Sequence, residues 1–233
     1  VGNGTMRYVY LRTCASMAGL LCLCLVVSLA VFLNLSNEPA GAAAAPEAQA
    51  PDSVTLVVNK HRPLAADYVP PDLVDAGGLL LRAEAAEAYA RMVGDAAAEG
   101  VAISPVSGYR SSEEQSRLHS SYTERYGQEG ADSLSARPGY SEHETGLAVD
   151  VGNPDGLCAL ETCFEGTAAG AWTAANAHRY GFLIRYPAGA EHITGYAYEP
   201  WHLRYVGPEV AAAVYDAGVT LEEFLGFPAA PDY

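Results

Sequence analysis

From Cys14 to Leu35 the chain carries no charged side chain and is apolar apart from Ser16, Ser28 and Asn34. A signal-peptide core spans roughly 7–15 residues and a membrane-crossing helix about 20, so the length predicts an uncleaved anchor. The competing reading is a cleaved signal, with Ala40-Gly41-Ala42 as a small-x-small cleavage site. Arg7 and Arg12 precede the run, whereas Glu38 and Asp52 follow it. The positive-inside bias therefore places residues 1–13 in the cytoplasm, 14–35 in the membrane and the remainder outside, a single-pass arrangement with an extracytoplasmic domain. A secreted form is the alternative if the signal is cut.

Residues 36–52 are nearly all Ala, Pro, Glu and Gln, too poor in large apolar groups to bury a core, and read as a linker. Residues 53–233 have the length of one ordinary domain. Against 13 basic residues the chain sets 28 acidic ones, for a formal charge of −15. That balance repels phosphate backbones and removes counterion release as a driving force, which excludes nucleic acid as an expected partner. Cys14, Cys22 and Cys24 lie within the apolar run and read as packing residues. Cys158 and Cys163 lie in the exported part, where an oxidising exterior predicts a local disulfide.

Apolar periodicity gives the outline of the domain. Val54–Val58 reads as a short strand and residues 59–71 as an extended lead-in. Ala85, Tyr89, Met92, Val93 and Ala96 recur at helical spacing between Leu80 and Ala98, with Gly100 as the stop. Residues 101–106 read as a strand, after which Ser111 and Glu114 have the spacing of a capping box. The helix so begun carries Leu118, Tyr122 and Tyr126 as its expected buried stripe. Leu147, Val149 and Val151 alternate with Ala148 and Asp150, which predicts a strand with Asp150 facing away from the valines. A helix over 168–180, a strand over 181–186 and a strand over 196–206 interrupted at Pro200 complete the list. The order predicts an α+β fold, a small antiparallel sheet flanked by helices.

Two segments concentrate residue types that hold and use a hydrolytic metal: Ser141-Glu-His-Glu-Thr-Gly-Leu-Ala-Val-Asp150 and Glu199-Pro-Trp-His-Leu-Arg204. A catalytic zinc takes three protein ligands and keeps one position open, and two histidines with a carboxylate are a common set. His143, Asp150 and His202 supply it, and none of them is open to oxidation as a thiolate would be outside the cell. Peptide hydrolysis also needs a base, for which Glu199 is the candidate. A kink at Pro200 would turn Glu199 and His202 toward one metal, whereas a regular strand would point them apart. Arg110 is expected to pair with a substrate carboxylate or a developing oxyanion, and Gln115 and Ser141 to add hydrogen bonds. Trp201, between base and ligand, is read as a wall of the substrate cleft. His61, His119, His178 and His192 read as structural or exposed.

These residues resemble the VanY-like D-alanyl-D-alanine carboxypeptidases, zinc enzymes related in fold to the hedgehog signalling domain. The resemblance rests on Ser107-Gly108-Tyr109-Arg110-Ser111 followed by Gln115, on Ser141-x-His143-x-x-Gly146-x-Ala148-x-Asp150, and on Glu199-x-Trp201-His202-x-Arg204. It runs from about Leu56 to Gly207. It implies zinc bound by His143, Asp150 and His202, Glu199 as the base and Arg110 holding the substrate. The implied reaction removes the terminal D-alanine from a peptidoglycan stem peptide. Rival expectations are an L,D-carboxypeptidase or wall endopeptidase of the same fold, and a zinc-stabilised binding module without catalysis, against which Glu199 argues. The loop from Asp150 to Ala168, with its cysteine pair, has no counterpart in the resemblance.

Overall fold

A computed structural model describes residues 50–233; the anchor expected over 14–35 and the segments 1–13 and 36–49 lie outside the described residues. Among the described residues no helix is long and apolar enough to cross a membrane.

The domain is built on two small antiparallel sheets. A hairpin pairs β1 (Leu73–Asp75) with β2 (Leu80–Arg82), which leads directly into helix α1 (Ala83–Ala98). The sequence pattern does not distinguish that hairpin, because three-residue strands carry too little alternation to register. The second sheet has four strands in the order β3 (Ser104–Ser107), β4 (Ala148–Gly152), β6 (His202–Tyr205) and β5 (Phe182–Ile184), all neighbours antiparallel. Helices α2 (Ser112–Leu134), α3 (Ala168–Asn176), α4 (Glu191–Thr194), α5 (Pro208–Ala217) and α6 (Leu221–Leu225) complete the α+β arrangement.

The two faces of the four-stranded sheet divide the labour. Val149 and Val151 of β4 and Leu203 of β6 point into the main core, where they meet Tyr89 and Met92 of α1, Phe164 and Trp172. Their alternate neighbours Asp150, His202 and Arg204 face the other way, as the period of a strand requires. Asp150 is the direct cross-strand partner of His202, and Ala148 of Arg204. A second apolar cluster gathers Val57, Leu183, Val206, Val214 and Leu221 under α5 and α6.

Three local expectations are corrected. Val54–Val58 forms no strand: its carbonyls at Val54 and Leu56 accept hydrogen bonds from the buried Arg204 guanidinium, at 3.0 and 2.7 Å, and not from a neighbouring strand. The α2 capping box at Ser111 and Glu114 is present, but the buried residues of that helix are Gln115, His119 and Ala131. Leu118 and Tyr122 are only half-buried because they line a cleft and not the core, and Tyr126 is 50% exposed. Residues 196–201 are irregular, with a turn at Pro200-Trp201, and not strand, so only His202–Tyr205 joins the sheet.

Candidate metal centre and active site

His143 sits on a 3-10 turn, Glu142–Thr145, that ends at Gly146 in the left-handed region with φ 68°. A side chain at Gly146 would also meet Leu73 Cδ2 at 2.8 Å, so both conformation and space demand glycine. The His143 Nδ1 lies 2.7 Å from the Gly108 carbonyl, to which it donates, leaving Nε2 as the free lone pair. Gly108 is held to this close approach from the other side, since a Cβ there would meet the Leu80 carbonyl at 2.6 Å.

The His143 Nε2 is 3.2 Å from Asp150 Oδ2, and the His202 Nδ1 is 3.2 Å from Asp150 Oδ1. One ligand atom from each of the three buried residues lies within 4.8 Å of the others. Asp150 Oδ1 has no hydrogen-bond partner although it is buried, a costly arrangement unless a cation completes it. The donor set, two imidazoles and one carboxylate in a buried cluster, fits zinc. Its electrostatics agree. Burial alone would raise the Asp150 carboxyl, yet the two imidazoles hold it well below the usual carboxylate range. Burial lowers the His143 imidazole and favours the neutral, ligating form. Burial would likewise lower His202, but its contacts with Asp150 and Glu142 outweigh this and push it up to about 9. The cluster as a whole calls for positive charge.

Glu199 reaches the same point from the turn before β6. The His202 amide donates to the Glu199 carbonyl at 3.2 Å across Pro200-Trp201, and this turn brings the two side chains together: Glu199 Oε2 is 3.6 Å from His202 Nδ1. A straight strand would have separated them. Burial pushes the Glu199 carboxyl up to about 7.

Arg110 lines the cleft beside this cluster and is held by two side chains: its guanidinium donates to Gln115 Oε1 at 2.5 Å and to Ser107 Oγ at 3.1 Å. The Gln115 amide nitrogen in turn donates to the Ala136 carbonyl at 2.6 Å and Ser135 Oγ at 3.2 Å. Gln115 is thus engaged on both sides and fixes the arginine. Ser141 and Trp201 line the same cleft of about 390 Å³, as do Tyr186 and Tyr196. Nothing in the sequence singles out the two tyrosines; the Tyr186 ring stands 4.9 Å from that of His202. Cys158 and Cys163 are bonded to each other, with Cα atoms 5.6 Å apart. Of the unassigned histidines, His119 pairs with Asp132 at 3.0 Å and His178 stacks on Tyr215, both away from the metal cluster.

The residue most clearly missed is Glu142. It is buried behind His202, with Oε1 accepting from Arg185 Nε and from the Arg204 guanidinium, each at 2.8 Å. Its Oε2 has no hydrogen-bond partner, faces the equally unpartnered His202 Nε2 at 3.5 Å, and is placed to orient that ring. The signal was its position next to His143, but its partner Arg185 lies 43 residues further along.

Comparison with known proteins agrees with this geometry. A family model described as VanY, D-alanyl-D-alanine carboxypeptidase, matches residues 78–208. A putative carboxypeptidase of Bacillus subtilis, YodJ, is 40% identical over 186 residues, 76% of this chain and 68% of the relative. Among solved structures, the LdcB LD-carboxypeptidase superposes with a TM-score of 0.71 at 40% identity, covering 76% of this chain and 87% of that one. A mutant of the D,D-pentapeptidase VanY from a VanB-type resistance cassette, in complex with Zn(II), gives 0.66 at 32% identity, over 74% and 98%.

Proposed function

The chain belongs to the VanY family of D-alanyl-D-alanine carboxypeptidases, and from that premise we propose that it is a zinc-dependent carboxypeptidase that removes the C-terminal D-alanine of peptidoglycan stem peptides. The observation that carries the proposal is the buried His143–Asp150–His202 cluster, with an unpartnered Asp150 oxygen and Glu199 at its edge. When bound, zinc supplies Lewis acidity for the scissile carbonyl and the attacking water.

The protein's own groups do the rest. Glu199 accepts a proton from the attacking water and returns it to the nitrogen of the departing D-alanine as the C–N bond breaks. Its carboxyl, raised toward neutrality by burial, is suited to both transfers. Arg110, fixed by Gln115 and Ser107, pairs with the carboxylate at the end of the peptide and sets which bond reaches the base. Ser141 adds a hydrogen bond and Trp201 an apolar wall.

The scissile bond is a finer matter. The family description and the zinc-bound D,D-pentapeptidase favour a D-Ala-D-Ala bond, the preference expected from the sequence. An L,D bond is a second reading with its own support: the LD-carboxypeptidase is the more similar in both sequence and structure, 40% and 0.71 against 32% and 0.66. Mass spectrometry of stem pentapeptide and tetrapeptide, incubated with zinc-loaded enzyme with and without a chelator, separates them. Chelator-sensitive loss of one alanine from the pentapeptide alone supports D,D specificity, and loss from the tetrapeptide supports L,D. Cleavage of neither by zinc-loaded protein would overturn the proposal.

We place the reaction outside the cytoplasm, with the run Cys14–Leu35 as its membrane anchor. The Cys158–Cys163 disulfide supports an oxidising compartment. Retention of the full-length chain in washed membranes, with the domain open to added protease in intact spheroplasts, is the expected result.

A further inference from the structure

The catalytic groups account for the floor of the cleft and leave the disulfide loop without a task. Residues 153–166 depart from β4 just beyond Asp150 and return to α3. The Asn153 side chain donates to the Leu157 carbonyl at 2.7 Å, and the Cys158–Cys163 bond closes the middle. At the far end Phe164 is wholly buried, and the Tyr198 hydroxyl donates to Glu165 Oε2 at 2.9 Å. A loop tied down at so many points presents its apex in a fixed place.

That apex is strained and apolar. Among the described residues Cys158 and Leu160, with φ of 56° and 54°, are the non-glycine residues of positive φ. The left-handed region costs a residue with a side chain roughly 1–2 kcal/mol, and such outliers collect where a ligand is held. Leu160 does not use its conformation to bury itself. It lines the catalytic cleft and remains 46% exposed, and two other large apolar residues left open to water, Val106 and Leu134, line the same cleft. An apolar rim around a polar floor is a surface awaiting a partner.

The direction of the substrate is set by the chemistry. A carboxypeptidase holds the end of its peptide, so nothing lies beyond the carboxylate paired with Arg110. The departing D-alanine has one methyl group and occupies a small part of a cleft of about 390 Å³. Every other cleft contact is therefore made by residues upstream of the scissile bond. We infer that Leu160, presented by the disulfide loop, contacts the stem peptide upstream of that bond and is a specificity-determining residue. The inference rests on the carboxypeptidase reading given above.

Leu160→Gly tests it cleanly, because glycine is unstrained at this φ and the loop keeps its path. Two substrates are compared: the full stem peptide that the wild type cleaves, and an N-acetylated dipeptide ending in D-alanine, with a single residue upstream. Wild-type release of D-alanine from the full stem peptide, measured first, tests the carboxypeptidase reading by itself. For the variant, KM for the full stem peptide should rise about tenfold, with kcat, the dipeptide KM and the thermal midpoint held or, for the midpoint, raised. An unchanged stem-peptide KM, or an equal rise for both substrates, overturns the inference. A Cys158→Ser, Cys163→Ser double variant should show the same selective rise with its metal content intact. A stem-peptide KM equal to the wild type's would refute the part assigned to the covalent closure.

Discussion

Two glutamates approach the same imidazole from opposite sides, and their surroundings make them opposites. Behind His202, Glu142 shares one oxygen between Arg185 and Arg204, in a buried set that also includes Glu222 and Asn59. Burial would raise its carboxyl, but the two arginines overwhelm that and hold it well below the usual range. In front of His202, Glu199 has no arginine in ion-pair contact among the described residues, and burial pushes it up to about 7. One carboxylate is fixed in its charge and placed as an anchor; the other stands ready to change its charge, as the role of base proposed for it requires. Environments that push paired acids apart are how one site assigns different roles to identical side chains.

The sharpest way to break that contrast is to remove the metal centre around which both glutamates are arranged. His143→Ala leaves two ligands, and D-alanine release should fall to background together with bound zinc, measured by elemental analysis of the dialysed protein. Retained zinc would mean that the cluster is held by other residues. Glu199→Gln should keep its zinc and lose roughly 10²–10⁴-fold in kcat, the usual cost of a missing general acid–base group. Loss of zinc from this variant would move Glu199 from base to ligand.

Changing the rear glutamate should have a different signature. Glu142→Gln leaves Arg185 and Arg204 buried against a neutral amide, a defect of about 3–5 kcal/mol by the usual cost of breaking a buried ion pair. Zinc affinity should fall about 10–100-fold through the loosened His202 ring, as for other groups that orient a ligand. Urea denaturation and competitive chelator titration read the two effects separately. Full stability with full affinity would make Glu142 a bystander.

The same contrast marks how far the sequence could be read. The three candidate ligands and the proposed base lie within two short segments, and strand period alone puts Asp150 opposite Val149 and Val151. The turn through Pro200 was legible as a possibility because proline restricts the residue before it. What stood behind the site was not. Glu142, Arg185, Glu222 and Asn59 are far apart in the chain, and nothing in a charged residue's own neighbourhood announces that it will be buried beside a partner contributed by a distant element. The stripe of α2 misled for a related reason: Leu118 and Tyr122 have the spacing of core residues, but the space above them is the cleft of the candidate site. Helical periodicity identifies an apolar face without saying what covers it.

The smallest expected effect separates the glutamates by pH. In chelator-treated protein, folded Glu199 keeps its proton up to about pH 7, whereas the unfolded chain releases it near the ordinary 4.5. A group raised on folding adds its stability below the unfolded value and loses it as the pH climbs to the folded one. Between about pH 4.5 and 7, wild-type stability should therefore decline relative to Glu199→Gln, and the difference should level off above that window. Glu142 is shifted the other way, so its contribution is present at neutral pH and lost only in acid, as the pH drops below the ordinary carboxylate value. Urea midpoints of the wild type and both variants, taken from pH 4 to 8 under chelation, resolve the two slopes. Parallel curves for wild type and Glu199→Gln would remove the basis for treating the front glutamate as the one whose proton is free to move.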